Sequence, residues 1–172
     1  PHKAAAFEAA IRCDEASRAA RSANTLLWSE EGYHAANTDG VGFVASFEAR
    51  FGATKGKTFV ILGAGGAARG VAFSLNKAGA KVLLSGRDIT RVKDTADSLG
   101  IATASGPGDE PNPDVVVNAT PIRSKTDDSE GLLRRWIQPG PIFIDMNYGT
   151  SASWFLRAAE GIGCEVMDGL PM

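Results

Sequence analysis

The sequence predicts an α/β fold organised around a doubly wound parallel sheet of about six strands. From Lys57 onward, short apolar runs of strand length alternate with amphipathic runs of helix length, which is the pattern of consecutive βαβ units. A glycine-rich turn follows directly on the first of these apolar runs. The chain has 172 residues, of which 44% are apolar, so it can bury one self-sufficient hydrophobic core.

The residues ahead of Lys57 predict a different arrangement. An Ala-rich stretch without Gly or Pro predicts a helix that bends near Asp14, and a hairpin with Glu30-Glu31-Gly32 at its turn follows. A second helix ends at Gly52, a residue that suits a helix C-terminus. The predicted bounds are 3–20 for the first helix, 25–29 and 33–37 for the hairpin strands, and 39–52 for the second helix.

The elements after Lys57 follow one another in regular alternation. The predicted strands cover 58–62, 81–85, 101–104, 114–118, 142–145 and 165–167. The predicted helices cover 67–78, 89–99, 131–137 and 151–160. Residues 105–113 are rich in Gly and Pro and predict a loop. This order of elements is typical of a parallel sheet that carries helices on both faces.

The glycine-rich turn has the spacing of a phosphate-binding loop. It reads Gly63-Ala64-Gly65-Gly66-Ala67-Ala68, which is GxGxxA between a predicted strand and a predicted helix. Gly63 permits the tight turn, Gly65 lets the backbone approach a pyrophosphate, and Ala68 lets the helix pack closely on the strand. The helix N-terminus then offers N–H groups to phosphate oxygens. The sequence therefore predicts a Rossmann-type dinucleotide-binding domain, and glycines that merely permit a tight turn are the alternative.

The residues after the second strand of this domain bear on which dinucleotide binds. Arg87 comes first and Arg91 lies one helical turn further on, so both guanidinium groups can face one phosphate. A basic residue here favours the 2′-phosphate of NADP, whereas an acidic one favours the free 2′-hydroxyl of NAD. Asp88 is either the N-cap of the next helix or a ribose ligand, so NAD stays possible. The alternative for both arginines is a solvated helix surface.

Charge and composition indicate a small-molecule partner. The chain has 18 Lys and Arg against 20 Asp and Glu, without long runs of one sign, so neither nucleic acid nor a membrane surface is indicated. No run approaches the ~20 apolar residues of a membrane span, and the first residues lack a signal-peptide layout, so we expect a cytoplasmic protein. The 2 cysteines lack metal-ligand spacing, so we predict no metal site and two reduced thiols. The oligomeric state is left open.

Six short motifs, in order and spacing, resemble those of the shikimate dehydrogenase family. They are Pro1-His2-Lys3, Ser22-Ala23-Asn24-Thr25, Asn37-Thr38-Asp39-Gly40, Gly63-Ala64-Gly65-Gly66-Ala67, Asn118-Ala119-Thr120-Pro121 and Asp168-Gly169-Leu170. The site residues that this resemblance implies are Lys3 and Asp39 as the catalytic pair, Asn24 and Tyr148 at the substrate, and Thr120 and Gly169 beside the nicotinamide. Without the resemblance, Lys3 is best interpreted as a solvated lysine and Asp39 as a helix N-cap.

The resemblance also implies a function and a division of the chain. It implies an oxidoreductase that reversibly reduces 3-dehydroshikimate to shikimate by hydride transfer from NADP. A lysine near the reacting oxygen can give or take the accompanying proton. The alternatives are a quinate/shikimate dehydrogenase that uses NAD, and a dinucleotide-binding module without catalysis. The implied units are a remnant of a substrate-binding domain at 1–38, a connecting helix and linker at 39–55, and the NADP-binding domain at 56–172.

The sequence departs from the family pattern in two respects. The family's substrate domain extends ahead of the Pro-His-Lys motif, and its site continues beyond the Asp-Gly-Leu motif. We therefore expect this chain to be a fragment that is weakly active or inactive alone, because substrate orientation contributes much of such an enzyme's rate. The second departure is Ile122-Arg123-Ser124-Lys125, which stands where the family has a Gly-Met pair beside the nicotinamide. The contact with the cofactor is expected to differ there.

Overall fold

The computed structural model describes residues 2–104, 112–121, 127–148 and 154–172, and of 127–130 the backbone alone. Its elements form two sheets, one of three strands and one of six. No helix within the described ranges is long and apolar enough to cross a membrane. Cys13 and Cys164 are both partly buried and are not joined by a disulfide.

The N-terminal part of the chain forms the smaller sheet and three helices. Its elements are α1 (Lys3–Glu8), β1 (Arg12–Cys13), α2 (Glu15–Ala20), β2 (Thr25–Ser29), β3 (Gly32–Ala36) and α3 (Asp39–Phe51). The sheet order is β1-β3-β2, with β2 and β3 antiparallel and β1 parallel to β3. The predicted hairpin is therefore present, with its second strand starting at the turn glycine.

The single helix predicted over 3–20 is wrong, because the chain leaves α1 to pair with β3. Ile11 N–H donates to the Tyr33 carbonyl at 2.8 Å, and Asp14 N–H donates to the Ala35 carbonyl at 3.0 Å. The Asp14 carboxylate then accepts the Ser17 N–H at 2.6 Å and so caps a new helix, α2. The pairing of β1 with β3 is a long-range contact that local helix propensity does not contain.

The rest of the chain forms a six-stranded parallel sheet with helices between its strands. The elements are β4 (Thr58–Leu62), α4 (Gly66–Lys77), β5 (Lys81–Ser85), α5 (Ile89–Leu99), β6 (Ala102–Thr103), β7 (Val115–Asn118), α6 (Asp127–Arg134), β8 (Ile142–Asp145), α7 (Trp154–Glu160) and β9 (Val166–Asp168). The sheet order is β6-β5-β4-β7-β8-β9, which confirms the Rossmann-type doubly wound sheet. Helix α6 begins and ends earlier than predicted, and most of the predicted loop at 105–113 lies outside the described residues.

Both faces of the six-stranded sheet are covered, as a parallel sheet requires. On β4, Phe59 and Ile61 pack with α3, α4 and α5 in one apolar cluster, while Val60 and Leu62 pack with α6 and α7 in another. All four side chains are almost completely buried. Because strand order reverses between β4 and β7, the carboxyl ends of these strands leave a crevice, and ligands of this fold class bind in such a crevice.

Helix α3 packs against α4 through a close backbone contact at Gly40. A Cβ atom at Gly40 would lie 2.2 Å from the Ser74 hydroxyl oxygen and 2.3 Å from the Gly70 carbonyl oxygen. No real Cβ tolerates such distances, so the two helices can approach this closely only because position 40 has no side chain. This contact joins the N-terminal part of the chain to the six-stranded sheet.

We expect Gly40→Ala to lower the free energy of unfolding by about 1–3 kcal/mol, because the methyl group forces α3 away from α4. Urea denaturation followed by circular dichroism measures the change. Gly131→Ala in α6 is the matched control, because a Cβ there meets nothing within 4 Å and alanine favours helices. Equal stability of Gly40→Ala and wild type would contradict the close contact.

Candidate active site

A cleft of about 520 Å³ opens at the carboxyl ends of β4 and β7. Its lining brings together residues of the N-terminal part of the chain, of the glycine-rich loop and of the turns after β7, β8 and β9. These residues are Lys3, Asn24, Thr38, Asp39, Gly65, Gly66, Ala67, Ala119, Thr120, Pro121, Met146, Asn147, Tyr148, Gly169 and Met172. The volume is typical of a small-molecule site.

A lysine and an aspartate form an ion pair at one side of this cleft. Lys3 is the first residue of α1 and Asp39 the first of α3. The Lys3 Nζ atom lies 2.5 Å from Asp39 Oδ2, with the lysine side chain about half exposed and the aspartate mostly buried. Asp39 is not the N-cap of α3, since Thr38 holds that position. Its carboxylate is therefore oriented toward the cleft rather than toward the helix backbone.

An asparagine holds the other oxygen of the aspartate. Asn24 Nδ2 donates to Asp39 Oδ1 at 2.8 Å and to the Thr38 hydroxyl at 3.0 Å. Behind it, the buried Asn37 accepts the Asp39 N–H at 3.0 Å and donates to the Ser22 carbonyl at 2.9 Å. Each carboxylate oxygen of Asp39 thus has a named donor, and the Lys3–Asp39 pair is held from both sides.

The glycine-rich loop fits a phosphate ligand. Gly63 has φ of +125°, which permits the sharp turn out of β4, and its N–H donates to the Ser85 carbonyl of the neighbouring strand at 2.8 Å. A Cβ at Gly65 would meet nothing within 4 Å, so the space over this residue is open to a ligand. Gly65 precedes the 12-residue helix α4, and no side chain caps that helix end. N–H groups in its first turn are therefore positioned for phosphate oxygens.

An arginine ties this loop to the N-terminal part of the chain. Arg69 Nε donates to the Ala20 carbonyl at 2.7 Å, and its Nη1 atom donates to the Ala64 carbonyl at 3.4 Å. Burial lowers the pKa of Arg69, and the like charges of Arg91 and Arg21 lower it further. The guanidinium group thus lies in a region of positive charge beside the phosphate loop.

The opposite wall of the cleft rests on a buried polar network. Asn118 Oδ1 accepts the Thr120 N–H at 3.1 Å and the Thr120 hydroxyl at 2.6 Å, while its Nδ2 donates to Asp145 Oδ1 at 3.1 Å. Asn147 Nδ2 donates to the same Asp145 oxygen and to the Thr120 carbonyl, both at 2.8 Å. The network fixes Thr120 at the cleft. The family resemblance implies that the nicotinamide binds beside this residue.

Sequence reasoning did not identify Asp145 and Asn147 as part of this site. Asp145 is the last residue of β8, and Asn147 follows that strand. Because β8 pairs in parallel with β7, both residues lie at the same edge of the sheet as the turn after Asn118. Their position at a strand end was the signal that the sequence contained. Tyr148 and Gly169 line the cleft. A Cβ at Gly169 would lie 2.3 Å from the Met146 carbonyl oxygen, so the protein's own backbone requires this glycine.

The two arginines predicted for the cofactor lie outside the cleft lining. Arg87 lines a separate pocket of about 240 Å³ with Lys93 and Thr103, whereas the charge of Arg91 acts on Arg69. Arg91 is not among the residues that line the pocket of Arg87. Asp88 Oδ1 accepts the Arg91 N–H at 3.0 Å and so caps α5, which is the first of the two roles considered for it.

The fold and the cleft define a dinucleotide-binding protein of the doubly wound α/β class. No protein-family model matches the chain. Over 182 aligned residues, it is 36% identical to the shikimate dehydrogenase (NADP+) of Xylella fastidiosa strain M12, and the alignment covers 100% of this chain and 64% of that protein.

Solved structures agree with the sequence relatives. The shikimate dehydrogenase of Aquifex aeolicus aligns with a TM-score of 0.87 and 27% identity, over 99% of this chain and 64% of that one. The enzyme of Thermus thermophilus, crystallised with NADP(H) and shikimate, aligns with a TM-score of 0.82 and 29% identity, over 99% and 65% of the chains. By sequence and by fold, the chain is similar to shikimate dehydrogenases over nearly its whole length. It spans about 64% of the length of the Xylella relative.

Proposed function

We propose that the protein interconverts 3-dehydroshikimate and shikimate with NADP as the hydride carrier. The observation that carries this proposal is the Lys3–Asp39 pair, which lines the same cleft as the glycine-rich loop. Relatives that align over the whole chain are named shikimate dehydrogenase (NADP+). The open space over Gly65 and the uncapped start of α4 fit the pyrophosphate of a dinucleotide.

The proposed roles of the residues follow from the chemistry of alcohol oxidation. When bound, NADP+ accepts the hydride from the carbon of the secondary alcohol. The proton of the alcohol oxygen must leave at the same time, and Lys3 Nζ, as the neutral amine, is the group proposed to accept it. In the reverse direction Lys3 returns that proton to the oxygen of the ketone. Asp39 orients the lysine, and its other oxygen is held by Asn24. We propose Tyr148 as a further substrate contact, since it is exposed at the cleft.

The proposed cofactor preference is NADP over NAD. The carboxylate of Asp88 accepts the N–H that starts α5, which supports a structural role rather than a ribose-binding role for this group. Arg87 and Arg91 are both exposed, and we propose that their guanidinium groups bind the phosphate that NADP carries at the ribose. Quinate and NAD belong in the assay as comparison substrates. We expect this chain alone to have weak activity or none, because it spans about 64% of the length of the Xylella relative.

We expect Lys3→Ala to lower kcat by about 10²–10⁴-fold while NADP+ affinity stays within about twofold, because the lysine transfers a proton and does not hold the dinucleotide. The assay follows NADPH absorbance with shikimate in the protein expressed from its complete reading frame. Lys55→Ala is the control, since this lysine is exposed and lies in the loop before β4, away from the cleft. Unchanged turnover of Lys3→Ala would remove the assigned role. Binding of NADP+ without turnover in any arm would favour the non-catalytic binding module.

We expect Gly65→Ala to weaken NADP+ binding by about tenfold or more without lowering the melting temperature. The added methyl meets no protein atom within 4 Å, so only a ligand at the loop can collide with it. Isothermal titration calorimetry and thermal denaturation separate the two effects, with Gly131→Ala as the control. Wild-type affinity in Gly65→Ala would contradict pyrophosphate binding at this loop.

A further inference from the structure

One arginine of the N-terminal part holds a backbone conformation that L-residues rarely adopt. Arg21 closes α2 with φ of 48° and ψ of 45°. Within the described ranges it is the one non-glycine residue with a positive φ. Glycine adopts this left-handed conformation freely, whereas a residue with a Cβ is strained there. Such strain persists where the surrounding structure or a function requires the side chain.

The neighbours of Arg21 pack directly on the start of α4. The Ala20 carbonyl accepts a hydrogen bond from Arg69 Nε at 2.7 Å. On the other side, Ser22 is buried, and a Cβ added at Gly66 would lie 2.8 Å from its hydroxyl oxygen. Gly66 is the first residue of α4. Arg21, between Ala20 and Ser22, is therefore held beside the first turn of the helix that follows the phosphate loop, and its own side chain is exposed.

Three arginines from three separate elements contribute positive charge here, and Arg69 lies beside Arg21 because it donates to the carbonyl of the preceding residue, Ala20. The charges of Arg91, from the first turn of α5, and of Arg21 both act on Arg69 of α4. In the part of the chain that the structure describes, none of the three forms an ion pair with a carboxylate. Such a cluster of like charges is destabilising by itself, and a polyanion that binds between the guanidinium groups neutralises it.

We propose that Arg21 binds a phosphate group of the dinucleotide together with Arg69 and Arg91, so that the N-terminal part of the chain takes part in cofactor recognition. This inference rests on the proposed function and adds to it a residue from outside the six-stranded sheet. The phosphate is either the 2′-phosphate, next to Arg91 after β5, or the pyrophosphate at the loop. Both have the chemistry that a guanidinium fork recognises.

The test compares wild type with Arg21→Gly and Arg21→Lys. Glycine removes the guanidinium and fits the left-handed conformation, so Arg21→Gly is expected to keep or raise the melting temperature. NADP+ and NAD+ affinities are measured by isothermal titration calorimetry at low and high salt. We expect Arg21→Gly to weaken NADP+ binding roughly tenfold and to reduce its salt dependence. Arg21→Lys is expected to keep part of the affinity, because the charge remains.

Arg12→Ala is the control for loss of one positive charge, since Arg12 pairs with Glu31 on the surface of the smaller sheet. Loss confined to NADP+ assigns Arg21 to the 2′-phosphate, and equal loss for NADP+ and NAD+ assigns it to the pyrophosphate. Wild-type affinity for both dinucleotides in Arg21→Gly overturns the inference while leaving the proposed function intact. Failure of the wild type to bind either dinucleotide overturns the proposed function, and this inference with it.

Discussion

The close contact of the N-terminal part with α4 is the constraint on which the site depends. Gly40 lets α3 approach α4, and Gly66 lets the chain at Ser22 lie against the first turn of α4. Each of these contacts requires a position without a side chain. If the helices stood further apart, Lys3 and Asp39 would not share a cleft with the glycine-rich loop, because they belong to elements outside the six-stranded sheet. The packing distance between α3 and α4 therefore decides whether the Lys3–Asp39 pair and the glycine-rich loop line the same cleft.

Much of the six-stranded sheet is predictable from the sequence because its signals are local. The strands at 58–62 and 81–85 are continuous apolar runs, and the structure has them with the predicted bounds. The first helix was predicted wrongly because β1 forms through pairing with β3, a contact between distant residues. Asp145 and Asn147 were missed for a related reason. Their importance arises from the parallel pairing of β7 with β8, and no short motif contains that information.

Gly65 and Gly169 belong to two of the sequence motifs, and each lacks a side chain for a different physical reason. Gly65 faces open space, so its lack of a side chain has value only for a ligand. Gly169 faces the Met146 carbonyl, so the fold itself needs it. Both glycines line the cleft, and the sequence motifs alone predicted that both contact the cofactor. The structure separates them, because it shows what a side chain at each position would meet.

The short segment from Ala20 to Asn24 links the proposed proton-transfer group to the phosphate loop. At one end its Ala20 carbonyl binds Arg69, and at the other end Asn24 holds Asp39. A displacement of this segment moves both contacts together, since few residues separate them. Hydride transfer requires reacting atoms about 3–3.5 Å apart, so a shift of about 1 Å is costly to the rate. The loop and the Lys3–Asp39 pair are thus kept in register by one stretch of backbone, and this explains why its contacts with α4 are so tightly packed.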